Sequence, residues 1–253
     1  MLCMRIVLAY GLCALVAGCA NTETVQFRPK AQQQAMIRDG QPALVSRTKS
    51  SIVMVRPASR QFQAGGRPVY VVAITNLGGA PINFLMANVE VTQNVKGQAF
   101  AVKVMTFEQL ATEERNRQIA VAVMGGLAAG ANAYSASQAG RYSQTSTVTT
   151  PRGNVYQVNT TGYSQTANAI AQSNAAAQNE AMIGAMIERG QQNMAALEQG
   201  IIKDNTLMPG EWYGGQLVLQ PLSSEGDGPK NYTIALLVGS ERHEIDISQV
   251  ATR

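Results

Sequence analysis

Pro68-Val-Tyr-Val-Val-Ala-Ile-Thr75, closed by Asn76-Leu-Gly78-Gly79, decides the fold class. β-branched and aromatic residues fill the run, and Asn with two glycines turns the chain at its end. The reading is a β-strand followed by a tight turn. On the N-terminal side Ser51-Ile-Val-Met-Val55 is a second apolar run of strand length. On the C-terminal side Pro81-Ile-Asn-Phe84 follows, and Ala87-Asn-Val89-Glu-Val91-Thr alternates with period two. Lys96-Gly97 then turns the chain into Ala99-Phe-Ala-Val-Lys-Val104.

The same style returns near the end of the chain. Gly215-Gln-Leu217-Val-Leu219 follows Pro209-Gly210-Glu-Trp212-Tyr213. A Gly/Ser/Asp loop at 223–228 leads into Tyr232-Thr-Ile234-Ala-Leu236-Leu-Val238, and Glu241-Arg-His243-Glu-Ile245-Asp-Ile247 is the last run. Many short strands joined by Gly/Pro turns predict an Ig-like β-sandwich. Neither strand block suffices alone to close a two-layer core, so residues 48–105 and 206–253 are expected to form one sandwich. The fold class expected is mainly β with a long α insertion.

Residues 106–205 form that insertion. Thr106-Phe-Glu108-Gln109 reads as a helix start, with Thr106 as N-cap and Gln109 at the capping-box position. The helix continues into Ile119–Ala133, which is small and apolar on every face. A second helix returns from Ala167 to about Lys203, rich in Ala, Gln, Glu and Met. Its apolar residues Met182, Met186, Gly190 and Met194 recur near i+4, with Leu197 and Ile201 beyond. A helix of that length reaches roughly 50 Å. The expectation is a helical hairpin projecting from the sandwich.

Gly126-x-x-x-Gly130 permits close helix approach. Within the chain it reads as a helix-packing seam between the outgoing and returning helices. Between chains it reads as a site where identical hairpins pack side by side. Insertion into lipid ranks last, because the fully apolar tract is about fifteen residues, short of a span.

Residues 135–165 make a Ser/Thr/Tyr/Gln-rich tip, a polar hairpin or a mobile loop. From Ser135 to Asn179 only Arg141 and Arg152 are charged. Tyr142, Tyr156 and Tyr163 punctuate it as a contact tip, since Tyr with Ser, Gly and Asn is what adaptable contact surfaces use. Low-complexity filler is the bland alternative.

The first twenty residues carry a different message. Arg5, an apolar run from Ile6 to Ala17, and small residues before Cys19 have the layout of a secretory signal. Leu15-Val16-Ala17-Gly18-Cys19 resembles the lipobox of bacterial lipoproteins, matching at every position. The resemblance covers only this segment. It implies a diacylglyceryl group on the Cys19 sulfur, cleavage by signal peptidase II before Cys19, and acylation of the new amino group. Residues 1–18 would then be a signal peptide and 19–47 a lipidated, polar tether. With Ala20 after the cysteine, the resemblance implies an outer-membrane anchor facing the periplasm. The cofactor expected is none beyond that covalent lipid.

Composition narrows the function classes. Cleavage removes Cys3 and Cys13 with the signal, leaving no free thiol and no disulfide. It also removes Arg5 and no acid, so the net charge falls from +4 to +3. The basic residues are scattered, which argues against a nucleic-acid partner. No catalytic constellation is legible, and no metal set. The single histidine, His243, reads as a packed or rim residue. Glu113 and Glu114 point to different helix faces. No phosphate-binding Gly pattern occurs. Trp212 reads as a core anchor, with a sugar-stacking platform as the alternative. The expected function is a non-enzymatic envelope protein that assembles with itself or docks to a larger envelope complex. The alternative is a ligand-binding module for glycan or peptide.

Overall fold

The computed structural model describes residues 22–223 and 228–252, so the lipobox residues Leu15, Val16, Ala17, Gly18 and Cys19 lie outside the described residues. Among the described residues the chain is mainly β with two helices, and it divides into two compact units, residues 1–109 with 199–253, and Leu110–Glu198.

The first unit holds β1 (Thr22–Arg28), β2 (Gln33–Arg38), β3 (Gln41–Arg47), β4 (Ser51–Pro57), β5 (Phe62–Gln63) and β6 (Val69–Asn76). It continues with β7 (Ile82–Val95), β8 (Gln98–Ala101) and β9 (Val104–Met105). After the insertion come β12 (Asn205–Leu207), β13 (Trp212–Leu219), β14 (Lys230–Val238) and β15 (Glu241–Ala251). The insertion carries α1 (Phe107–Gln138), β10 (Arg141–Thr149), β11 (Val155–Tyr163) and α2 (Gln165–Gly200).

Thirteen of these strands form two antiparallel sheets. One runs β12-β7-β14-β15-β1-β5, with β8 beside β7; the other runs β2-β3-β4-β6-β13-β9. β6 lies inside its sheet between β4 and β13, with Val72 opposite both Val55 and Gly215. Its burial alternates residue by residue, burying Tyr70, Val72 and Ile74, as period-two patterning requires. Asn76 ends the strand fully buried, its amide donating to the Ala80 and Leu207 carbonyls while its oxygen accepts from Gly78 N. One hydrophobic core takes residues from both sheets, among them Leu44, Val55, Tyr70 and Leu217 from one, and Phe84, Ile234, Leu236 and Ile245 from the other.

A polar chain crosses that core. The Tyr70 and Tyr232 hydroxyls bond to each other, joining the two sheets. Tyr232 also donates to Gln249 Oε1 at 3.0 Å, and Gln249 Nε2 donates to Glu23 Oε2 at 2.5 Å. Lys230 Nζ closes the chain on Glu23 Oε1 at 2.7 Å. Burial pushes both tyrosine hydroxyls well above their ordinary range, so they stay protonated.

The structure corrects the expected tether. Residues 22–47 are three strands, with β1 paired to β15 from Glu23↔Ala251 to Arg28↔Asp246. The reason is physical. β1 buries Val25 and a charged residue, Glu23, whose burial is made tolerable by Lys230. β2 and β3 meet at Asp39-Gly40, both with positive φ (52° and 71°), a two-residue hairpin turn.

Candidate functional site

In the first unit the histidine is the centre of a buried polar cluster. His243 on β15 is 1% exposed and Ser51 on β4 is fully buried. Ser51 Oγ lies 2.8 Å from His243 Nε2, and Ser46 Oγ lies 3.0 Å from Nδ1. Glu241 Oε2 accepts from Ser51 Oγ at 2.6 Å and from Thr48 Oγ1 at 2.5 Å, and its carboxylate also accepts from Ser50 N. Each hydroxyl has one proton. With Ser51 donating to Glu241, His243 Nε2 must be the donor toward Ser51, and Nδ1 accepts from Ser46. The ring therefore holds Ser51 in place and does not receive its proton. The sequence placed His243 as a packed or rim residue; its serine partners come from strands nearly two hundred residues away, beyond any local pattern.

This cluster sets a pH dependence. Burial holds the His243 ring below the ordinary histidine range, against the opposing pull of Glu241. For Glu241, burial would raise the carboxyl, but donors from Ser51, Thr48 and Ser50 outweigh it and hold it near about 2. Below pH ~6.5 the unfolded chain binds a proton on the histidine that the folded protein resists, so stability falls. Below pH ~4.5 the unfolded chain also protonates Glu241, and stability falls again. Urea midpoints are expected to be flat above pH 7 and to drop in two stages below it. His243→Gln should remove the upper stage only; an unchanged upper stage would exclude the assignment.

A cavity of about 860 Å³ opens beside β7 in the same unit. Met86, Val89, Val91, Val102 and Val104 supply apolar lining, and Lys203 and Asp204 line it as well. Asp204 Oδ1 accepts from Met86 N at 2.6 Å, and Lys203 Nζ sits 4.1 Å from the Phe107 ring centroid. Trp212 corrects its expected role: it is 72% exposed at the start of β13. Tyr213 takes the anchoring place, half-buried, its hydroxyl accepting from Lys203 N at 2.9 Å.

α1 opens on the cap read from sequence: Gln109 N donates to Thr106 Oγ1 and Thr106 N to Gln109 Oε1, each at 3.4 Å. α1 and α2 meet along polar and small residues. Gln118 Nε2 donates to the Gly190 carbonyl, Asn132 to Asn179, Asn179 to the Ala129 carbonyl, and Asn168 to the Ala136 and Ser137 carbonyls. Glu114 accepts a two-pronged bond from Arg117, with Gln118 and Asn193 adding to it; these donors hold its carboxyl near about 2. Gly125 of α1 and Gly190 of α2 are buried. A Cβ on Gly125 would come within 2.8 Å of Met186 Sδ. The expected seam is corrected on this point: Gly126 and Gly130 are exposed, with nothing within 4 Å of a Cβ built on either. At 100° per residue Gly126 lies about 100° and Gly130 about 140° round α1 from Gly125, turned toward the side opposite the α2 contact.

That opposite side is apolar. Ile119, Val123, Leu127 and Tyr134 are 64%, 59%, 68% and 70% exposed. Among the described residues α1 is one helix long and apolar enough to cross a membrane, with an 18-residue window of mean hydropathy 1.4 that is 11% buried. The apolar tract thus belongs to a longer span than fifteen residues. α2 answers with exposed charge at Glu180, Glu188 and Arg189.

The tip is ordered as a two-stranded ribbon. β10 and β11 pair without a register shift from Arg141↔Tyr163 to Thr149↔Val155. Tyr142, Tyr156 and Tyr163 are 52%, 55% and 53% exposed, so all three contact-tip residues face solvent. Gly162 lies under the Tyr142 ring, where no Cβ would fit.

Among the described residues no group of three or more His, Cys, Asp or Glu side chains is placed to hold a metal. No family model, curated protein or solved structure matches the chain.

Proposed function

We propose that this is a lipid-anchored envelope protein with a structural or assembly role. In this reading its strands form an Ig-like β-sandwich, Cys19 carries the lipid at the periplasmic face of the outer membrane, and the inserted helical hairpin makes the contacts. The single observation that carries it is the inverted arrangement of the helices. Gln, Asn, Gly and Ala, with Met186, meet inside the pair, while Ile119, Val123 and Leu127 face outward beside Gly126 and Gly130. Exposing such a stripe to water is unfavourable by about 25 cal/mol per Å². A neighbouring copy's helix covers it, and the two glycines let that helix come close. The exposed charges of α2 argue against lipid as the covering medium, since charged side chains within a bilayer are costly.

Size measurement on the detergent-extracted protein tests this. The wild type is expected to be an oligomer, and Val123→Glu with Leu127→Glu a monomer with unchanged circular dichroism. A strictly monomeric wild type would rule the reading out.

The second reading, a binding module for glycan or peptide, is favoured by the exposed Trp212 and the cavity beside β7. On that reading Trp212→Ala abolishes retention on immobilised peptidoglycan; equal retention of both proteins counts against it.

A further inference from the structure

β10 and β11 form a sheet of two strands only, nine residues each, so both outer edges present unpaired backbone groups along their whole length. An isolated two-stranded ribbon is marginal in water, and open edges invite another strand. Proteins that keep such edges apart place Lys, Pro, bulges or inward charges on them. Few of these occur here: neither strand holds Lys, Pro or a bulge, and the one charge on them is Arg141 at the start of β10. Between Tyr142 and Tyr163 the only charge is Arg152 and the only proline is Pro151, both in the turn. The register runs unbroken through nine pairs. The two faces also differ. Tyr142, Val148, Tyr156 and Val158 share one face, whereas the other is chiefly Ser, Thr, Asn and Gln.

We propose that the ribbons of neighbouring copies pair edge to edge, β10 of one with β11 of the next, and close into an antiparallel β-barrel. The occupant of each edge is a second copy of this chain, so the inference rests on the self-association proposed above. The two edges differ, which makes the contact heterologous, and such contacts close into rings when the rotation allows. Closure removes every free edge. The same unit carries the apolar stripe of α1, which calls for the same neighbour.

The test uses the full lipidated chain and mixes two single-cysteine variants. Thr145→Cys in one copy is oxidised against cysteines placed singly at 155–161 in the other. Strand pairing predicts crosslinks between the two variants that alternate with period two along β11, and little crosslinking of Thr145→Cys alone. Size measurement runs in parallel. Oligomers with no crosslink, or with crosslinks lacking that alternation, overturn the barrel and leave the helical association standing. Monomers overturn both.

Discussion

Replacing Glu23 by Ala is expected to destabilise the protein by about 3–5 kcal/mol, because it strands a buried ammonium. Glu23 and Lys230 are each 7% exposed, and their 2.7 Å contact is the partner that makes burial of either charge tolerable. Removing the carboxylate leaves Lys230 Nζ without its anion and Gln249 Nε2 without its acceptor at 2.5 Å. An uncompensated buried charge costs far more than the pair contributes. Against a total stability of about 5–15 kcal/mol, such a loss is a large fraction. The measurement is the urea midpoint at pH 7.5, read at unchanged slope. Replacing both partners together, Glu23→Leu with Lys230→Met, is expected to recover most of the loss, because two apolar side chains need neither water nor each other's charge. A single substitution costing under about 1 kcal/mol would mean that water reaches Lys230 and that the pair is not buried in solution.

That pair also explains what the sequence could and could not convey. β4, β6 and β14 were legible because, apart from Ser51, Asn76 and Lys230 at their ends, their buried positions are apolar and largely alternate, the signal that burial on one face of a sheet leaves behind. β1 was not, because one of its two buried positions is glutamate, and only the distant Lys230 makes that residue an inward one. The β2–β3 hairpin left a signal, Asp39-Gly40, which a polar tether reading passed over. In the insertion, periodicity placed both helices and, within the Met182–Met194 stripe, Met186, which meets Gly125 of α1. The glycine spacing gave a motif but not a rotation: Gly125, one residue earlier than Gly126, is the one against Met186. A helix that is small and apolar all round carries no internal marker of which side meets its partner, so that choice falls to the polar amides Gln118, Asn132 and Asn179. The serine cluster around His243 was invisible for another reason. It is assembled from β3, β4 and β15, and its spacing along the chain says nothing of its 2.8 Å spacing in space.

Replacing Cys19 by Ser is expected to abolish fatty-acid labelling of the protein and to leave the precursor uncut. The lipobox resemblance makes the Cys19 sulfur the site of the first acyl transfer, and a serine hydroxyl lacks the thiolate nucleophile that thioether formation requires. Each buried methylene contributes roughly 0.8 kcal/mol to membrane binding, and one chain alone holds only marginally, so stable attachment needs the two or three chains that this single residue would carry. The apolar run Ile6–Ala17 does not replace it, being shorter than the roughly 20 residues of a spanning helix. The fold adds a consequence. β1 begins at Thr22, three residues along the chain from Cys19. On this reading the β unit rides against the membrane surface and has no long spacer. Inserting a flexible ten-residue linker after Ala20 should therefore leave labelling intact while making the β1 end newly sensitive to added protease. Cys19→Ser protein that is processed to its mature length, takes up label and sediments with membranes would end the lipoprotein reading, and the surface-riding geometry with it.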